Sequence, residues 1–305
     1  MRSWFFLFSC NLMWALQFTC IKLVQDQVGT LFTVWGPMTL ATLMLYPLVR
    51  REQRKDREPD RRRRKDIFFY FLMAALGVFP AQVWTTWGTR MTLASNAALI
   101  ALTGPITMAI MAAIILRERM TSTRWISFGL ALFGVMLCSA SDIRHMNFGK
   151  GFGAGNLLVF LGYTGSGFYN TYGKKMMERY TPMEMLFYTY LAMFFILTPF
   201  VLIQERDVFA RIPQFTSRTW IGLLLLIFFH NFLSMVLYLK ALKKLDAIQT
   251  ALSNYLITFF GVPIAAIWLG ERLSLTGVVG GILVLGSTLL ITLWEKKQAA
   301  QPASP

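Results

Sequence analysis

Acidic residues are what this sequence has least of: 15 Asp and Glu in 305 residues, against 30 Lys and Arg. Charged residues of both signs make up 15% of the chain, where soluble proteins carry roughly 25%. So few carboxylates cannot solvate the surface of a soluble protein of this size, which excludes that class. Charge is also missing from whole stretches: residues 67–89, 95–116, 152–173, 219–239, 247–269 and 273–294 hold none. A helix of about 20 such residues crosses the hydrocarbon core of a bilayer. Cysteine is sparse too, and Cys10, Cys20 and Cys138 lie in apolar stretches without metal or disulfide spacing. They read as packing residues. GxSxG, HExxH and paired carboxylates within the apolar runs are all absent. The glycine-rich "GKGFGAG" at 149–155 lacks the Lys-Ser/Thr and the preceding strand of a phosphate-binding loop, so it reads as a turn. No catalytic constellation, metal site or cofactor site is therefore expected, and the chain reads as a non-enzyme.

What is present is apolar sequence in membrane-length blocks. A window of about 19 residues gives ten spans, near 4–24, 30–49, 67–89, 95–116, 123–141, 152–173, 182–203, 219–240, 247–269 and 273–294. Helices are preferred to strands because the runs are long and lack period-2 alternation. A helix also satisfies its own backbone within one segment in lipid. The expected fold class is an all-α polytopic membrane protein. The first span is too long for a signal-peptide core and has no small-residue cleavage site after it, so it is expected to be retained. Thr181-Pro182-Met183-Glu184 reads as a capping box opening the seventh span.

The net charge of +15 follows the membrane and not a nucleic acid. "RREQRKDREPDRRRRKD" at 50–66 holds ten basic residues but also five acids, and no interleaved aromatics. If the N-terminus is cytoplasmic, 22 of the 30 basic residues fall in cytoplasmic segments and 8 on the other side. That bias is the positive-inside pattern, and it places both termini in the cytoplasm of a cell or inner membrane. The 50–66 loop would orient the protein and touch anionic lipid headgroups.

One phrase is written twice. "IILRERMTST" at 114–123 returns as "IWLGERLSLT" at 267–276, with Glu118-Arg119 and Glu271-Arg272 separated by 153 positions. The same shift pairs Gln17 with Asn170, Lys22 with Lys175, Arg90 with Lys243 and Asn96 with Gln249. A register held across most of each half is a duplication. Five spans per copy is an odd number, so the second copy enters the membrane inverted. The expected organisation is a first five-helix repeat over 1–141, a second over 150–294, and a cytoplasmic tail at 295–305. Inverted repeats are a signature of secondary transporters, with the site near the midplane.

Two five-helix units, each with an apolar fourth helix running into "ERMTS" or "ERLSL" and a glycine-bearing fifth helix, resemble the EamA group of the drug/metabolite transporter superfamily. "WALQFTCIK" at 14–22 is similar to that group's first-helix pattern. The resemblance covers nearly the whole chain. It implies transport of a small metabolite, with export as the expected direction. It also implies a central cavity lined by helices 1, 3, 4, 6, 8 and 9, with helices 5 and 10 peripheral.

Polar stripes on the spans point to the same helices. A polar face at helical spacing turns away from lipid. Asn11 and Trp14 lie on helix 1, Gln82 on helix 3 and Thr103 on helix 4. Tyr163, Ser166 and Asn170 lie on helix 6, and His230 and Asn231 on helix 8. These nine are the candidate substrate-binding residues; packing hydrogen bonds between helices are the alternative role. Lys22 and Lys175 would put one positive charge at each mouth, unless they snorkel to headgroups. Glu118, Arg119, Glu271 and Arg272 are expected to bridge or cap short turns, with gating as the alternative. Gly277 and Gly281 would let helix 10 pack closely, in the fold or in a homodimer. With no carboxylate inside the cavity spans, the expected partner is a neutral, zwitterionic or anionic small molecule, besides membrane lipid.

This topology has a direct test. Single cysteines at Gln53 and Lys297 are expected to react with an impermeant thiol reagent only from the cytoplasm, and one at Asn147 only from outside. Labelling of Gln53 and Asn147 from the same side contradicts the inverted arrangement.

Overall fold

A computed structural model describes residues 2–55, 64–91, 100–138, 153–257, 259–260 and 275–299, and among these there is no strand. Glu271 and Arg272, the 139–152 turn with Asn147, and parts of the expected fourth and ninth spans lie outside the described residues. Among the described residues, four helices are long and apolar enough to cross a membrane: Thr30–Arg54, Ile67–Gly88, Pro182–Gln204 and Ser217–Leu242. Shorter apolar helices cover Thr103–Ile115, Ser122–Leu137 and Val278–Ile291. Their outward faces are greasy: Ile203 is 78% exposed, Ile114 72% and Leu43 66%. Water tolerates no such continuous apolar surface, whereas lipid does.

In chain order the helices are α1 (Arg2–Ala15), α2 (Gln17–Val24), α3 (Thr30–Lys55), α4 (Arg64–Met73), α5 (Thr85–Met91), α6 (Thr103–Ile115), α7 (Ser122–Cys138) and α8 (Gly153–Met176). They continue with α9 (Pro182–Gln204), α10 (Asp207–Arg211), α11 (Ser217–Leu225), α12 (Ser234–Leu242), α13 (Ala247–Ser253) and α14 (Leu275–Ala299). Two breaks are not loops. Between α4 and α5 the chain widens into π turns at Ala74–Val78 and Pro80–Trp84, and between α11 and α12 into one at Leu226–Leu233. Pro80 supplies one cause, because it has no N–H to give to the preceding turn.

The packing pairs distant segments. α1 lies on α12 and α2 on α11; α5 and its π turns lie on α8; α6 lies on α13; α7 lies on α14. α3 and α9 are antiparallel neighbours. Gln53, near the end of α3, donates to Glu184 at the start of α9, 3.0 Å away. Glu205, just past the end of α9, accepts from the Leu31 and Phe32 N–H groups at the start of α3, at 3.0 and 2.8 Å. Gly29 has no side chain where that carboxylate sits; a Cβ there would collide with it. The Thr181–Glu184 capping box forms as the sequence indicates.

The tightest crossing joins α5 and α8. A Cβ on Gly88 would come within 2.7 Å of the Gly155 carbonyl, and one on Gly155 within 3.0 Å of the Gly88 carbonyl. Each glycine makes room for the other's backbone, the small-residue packing that membrane helices use. Gly281 on α14 faces Phe259 in the same chain, and Gly134 of α7 meets the Gly280 carbonyl. Gly155→Leu is therefore expected to destabilise the protein by about 1–3 kcal/mol, the usual cost of forced overpacking. Thermal unfolding in detergent reads this; an unchanged midpoint contradicts the crossing.

Candidate functional site

The polar groups of the interior gather around the π turns. A widened turn frees backbone carbonyls, which must find other donors in a medium without water. Around the second π segment side chains supply them. Asn231 Nδ2 donates to the Leu226 carbonyl at 2.9 Å, and Tyr190 Oη to the Asn231 carbonyl at 3.1 Å. Ser234 Oγ donates to the His230 carbonyl and accepts from Trp14 Nε1 at 3.1 Å. In the Pro80–Trp84 segment, Thr86 Oγ1 donates to the Gln82 carbonyl at 2.5 Å.

Between the two π segments lies a cavity of about 20 Å³, room for a single water molecule. Gln82 and Thr86 line it from one side, Leu226, His230 and Asn231 from the other, with Ile21 of α2 and Thr33 and Val34 of α3 closing it. The structure thus brings together Gln82, His230 and Asn231. His230 Nδ1 is buried and has no hydrogen-bond partner among the described residues.

A second polar layer adjoins it. The Trp14 ring packs on Tyr238 with centroids 4.8 Å apart. Asn11 is fully buried, donates to the Leu7 carbonyl at 2.9 Å and to Ser253 Oγ at 3.4 Å, and leaves its Oδ1 without a partner. The α8 stripe sits elsewhere. Tyr163 packs its ring against Gly104, and Asn170 Nδ2 reaches Ser166 Oγ at 3.5 Å. Thr103 Oγ1 donates to its own helix at the Ile100 carbonyl. None of these four lines the small cavity.

The charged residues assemble at one end. Glu118 accepts from the Ala247 and Ile248 N–H groups at 2.8 and 2.9 Å, so it caps α13 across 129 positions of sequence. Lys174, at the end of α8, pairs with Glu118 at 3.1 Å and lies 3.9 Å from Asp246. Its ammonium also donates to the Leu245 carbonyl. Arg124, largely buried, pairs with Asp246 and donates to the Arg119 carbonyl at 3.0 Å. Four charges thus tie α6 and α7 to α8 and α13. Lys175, the lysine singled out by the repeat, is exposed; its neighbour Lys174 makes the contact. Arg119 is exposed as well. Of Lys22 only the backbone, in α2, is described. At the opposite end Glu205 caps α3, and neutral side chains make the remaining ties. Gln27 Oε1 accepts from the Thr216 N–H at 2.9 Å and from Thr219 Oγ1 at 2.6 Å, and Gln27 Nε2 donates to the Gln214 carbonyl at 3.3 Å.

Sequence reading missed Thr33, Tyr190, Lys174, Arg124, Asp246 and Gln27. Asp246 carried a usable signal, a cap residue in "LDAIQT" before a helix. For Lys174 the repeat register pointed one residue too far.

The charged cluster should govern access to the layer beneath it. Glu118→Gln and Lys174→Met are each expected to speed modification of a cysteine at Ser253, several-fold, from the face that labels Gln53. The double variant should add little to the larger single effect, because both break one contact. Rates equal to those of the parent protein contradict a closure at this end.

Known proteins are similar along the whole chain. The model of the EamA-like transporter family matches twice, over residues 1–140 and 153–293. A protein of Streptantibioticus cattleyicolor named "Probable terminal-alkyne amino-acid exporter" is 26% identical over 299 residues, covering 95% of this chain and 94% of the relative. An uncharacterized transporter of Bacillus subtilis, YyaM, is 24% identical over 73% of this chain and 72% of its own. A crystal structure shares the fold with a TM-score of 0.80 at 12% identity, over 97% of this chain and 98% of that one. With apolar helices of membrane length and two matches that leave little of the chain uncovered, the protein is an integral membrane member of the EamA-like transporter family.

Proposed function

We propose that the protein is a secondary transporter that exports a small neutral, zwitterionic or anionic metabolite by alternating access of two inverted five-helix halves. The carrying observation is the polar centre: π segments from each half enclose Gln82, His230 and Asn231, and His230 Nδ1 has no partner among the described residues. Shifted by 153, Ala74–Val78 falls on residues 227–231, inside the Leu226–Leu233 π segment, whereas Pro80–Trp84 falls on 233–237, at and past its end. The packing supports the same exchange. α1 and α2 on α12 and α11 correspond to α8 on α5 and its π turns, while α3 and α9, α6 and α13, and α7 and α14 are each mates in contact. Ten spans with both termini in the cytoplasm complete this reading.

The polar centre is too tight for a metabolite as it stands, so substrate entry requires the π segments to part. The two ends are held by separate contacts, so one can open while the other stays shut. That is the requirement of alternating access. Amides, hydroxyls and an imidazole recognise carboxylate or amide groups well, whereas a cation lacks a partner here. Glu118, Glu184 and Glu205 are already bonded to helix N-termini. Leaving a buried charge unpaired is costly. An amino-acid-like substrate fits this donor set, as does the printed name of the Streptantibioticus relative.

Gln82→Leu and Asn231→Leu are expected to lower transport at least tenfold with membrane abundance kept, since a pocket polar group that loses its partner costs binding. Normal transport by both would move the site elsewhere. Inverted vesicles should accumulate amino-acid-like substrates and not a permanent organic cation; strong, saturable accumulation of the cation contradicts the substrate class.

A further inference from the structure

A second cavity opens on the outer face of the bundle, between α6 and α7. It has a volume of about 310 Å³ and is lined by Ile110, Ile114, Met120, Trp125 and Gly129 among other apolar residues. Ile110 is 50% exposed, Ile114 72% and Trp125 60%. A groove of this composition on an integral membrane protein is filled by hydrocarbon, because neither water nor a polar metabolite pairs with its walls.

Its mouth has a different chemistry. After α6 the chain runs without helix through 117–121, and exposure alternates: Arg117, Arg119 and Thr121 are exposed, Glu118 and Met120 half-buried. Glu118 goes to the cap of α13, and Met120 lines the groove. Arg117 and Arg119 are left at the groove's end, and neither guanidinium has a partner among the described residues. Arg117 also has a φ of 56°, and it is the only non-glycine residue with positive φ among the described residues. Glycine would occupy that position without strain. A strained, unpaired arginine is a reason to look for function.

We propose that this groove is a binding site for one phospholipid with an anionic headgroup, an acyl chain lying between α6 and α7 and the phosphate held by Arg117 and Arg119. Guanidinium groups bind phosphate oxygens in pairs, and Trp125 is the amphipathic ring such a boundary favours. The site rests only on the protein being embedded in a membrane and stands whether or not the polar centre moves a metabolite. It also touches the gate, because the segment that leaves the two arginines exposed turns Glu118 inward. Lipid occupancy therefore restrains the segment on which the closure to Lys174 depends.

The test uses the full chain in nanodiscs with phospholipids brominated on the acyl chains, which quench tryptophan on contact. Subtracting the signal of a Trp125→Phe protein isolates Trp125. Brominated phosphatidylglycerol, as a minor component, is expected to quench Trp125 several-fold more than the same fraction of brominated phosphatidylcholine. In an Arg117→Gln, Arg119→Gln protein the two lipids should become equivalent. Gly129→Phe grows into open space, since a Cβ there meets nothing within 4 Å, and should reduce quenching by both lipids. Equal quenching in the parent protein, or a preference that survives loss of both arginines, overturns the proposal.

Discussion

A helix that starts inside a bundle presents N–H groups with no partner in its own helix, and in a membrane there is no water to take them. This protein meets that constraint with its few acidic residues. Glu205 serves α3, Glu118 serves α13 and Glu184 serves its own α9. The first two reach across more than a hundred positions of sequence, so a local need becomes a long-range tie. A carboxylate at a helix N-terminus is worth about 0.3–1 kcal/mol on a surface and up to about 2 when partly buried. These ties therefore hold a conformation without fixing it permanently, which suits the proposed opening of the two ends in turn.

The same commitment shapes the chemistry of the interior. With those carboxylates bonded at the helix ends, the polar centre is left to amides, hydroxyls, an imidazole and aromatic rings. The π turns then matter twice. They widen the helices where Gln82, His230 and Asn231 meet, and they free carbonyls that side chains such as Asn231 and Tyr190 must satisfy. A substrate with its own donors and acceptors can replace these bonds, and separation of the π segments then costs less.

Much of this could be read along the chain. Long uncharged runs announced the membrane and the helices, and the doubled Glu-Arg phrase anticipated the double family match over residues 1–140 and 153–293. Gln82, His230 and Asn231 could be singled out because polar residues inside apolar runs are expensive. What stayed hidden was partnership. Glu118 looked like a residue of its own turn, yet its partners are Ala247 and Ile248. Thr33 carried no signal in the sequence, since nothing local says that α3 faces the cavity. The choice between Lys174 and Lys175 turns on about 100° of helix rotation, which a repeat register does not resolve. The π turns were invisible for the same reason: only Pro80 marks one, and the segment at Leu226–Leu233 has no proline at all.

The central claim is that the two ends open alternately around one polar centre. It is tested most directly by tethering the end held by Gln27. Cysteines at Gln27 and Thr216, joined by a short, reducible bis-methanethiosulfonate cross-linker in reconstituted protein, should abolish substrate counterflow while leaving substrate binding from the Gln53 side intact. Cleaving the linker should restore transport. Counterflow at the parent rate after quantitative cross-linking would show that this end does not open during transport and would contradict the account.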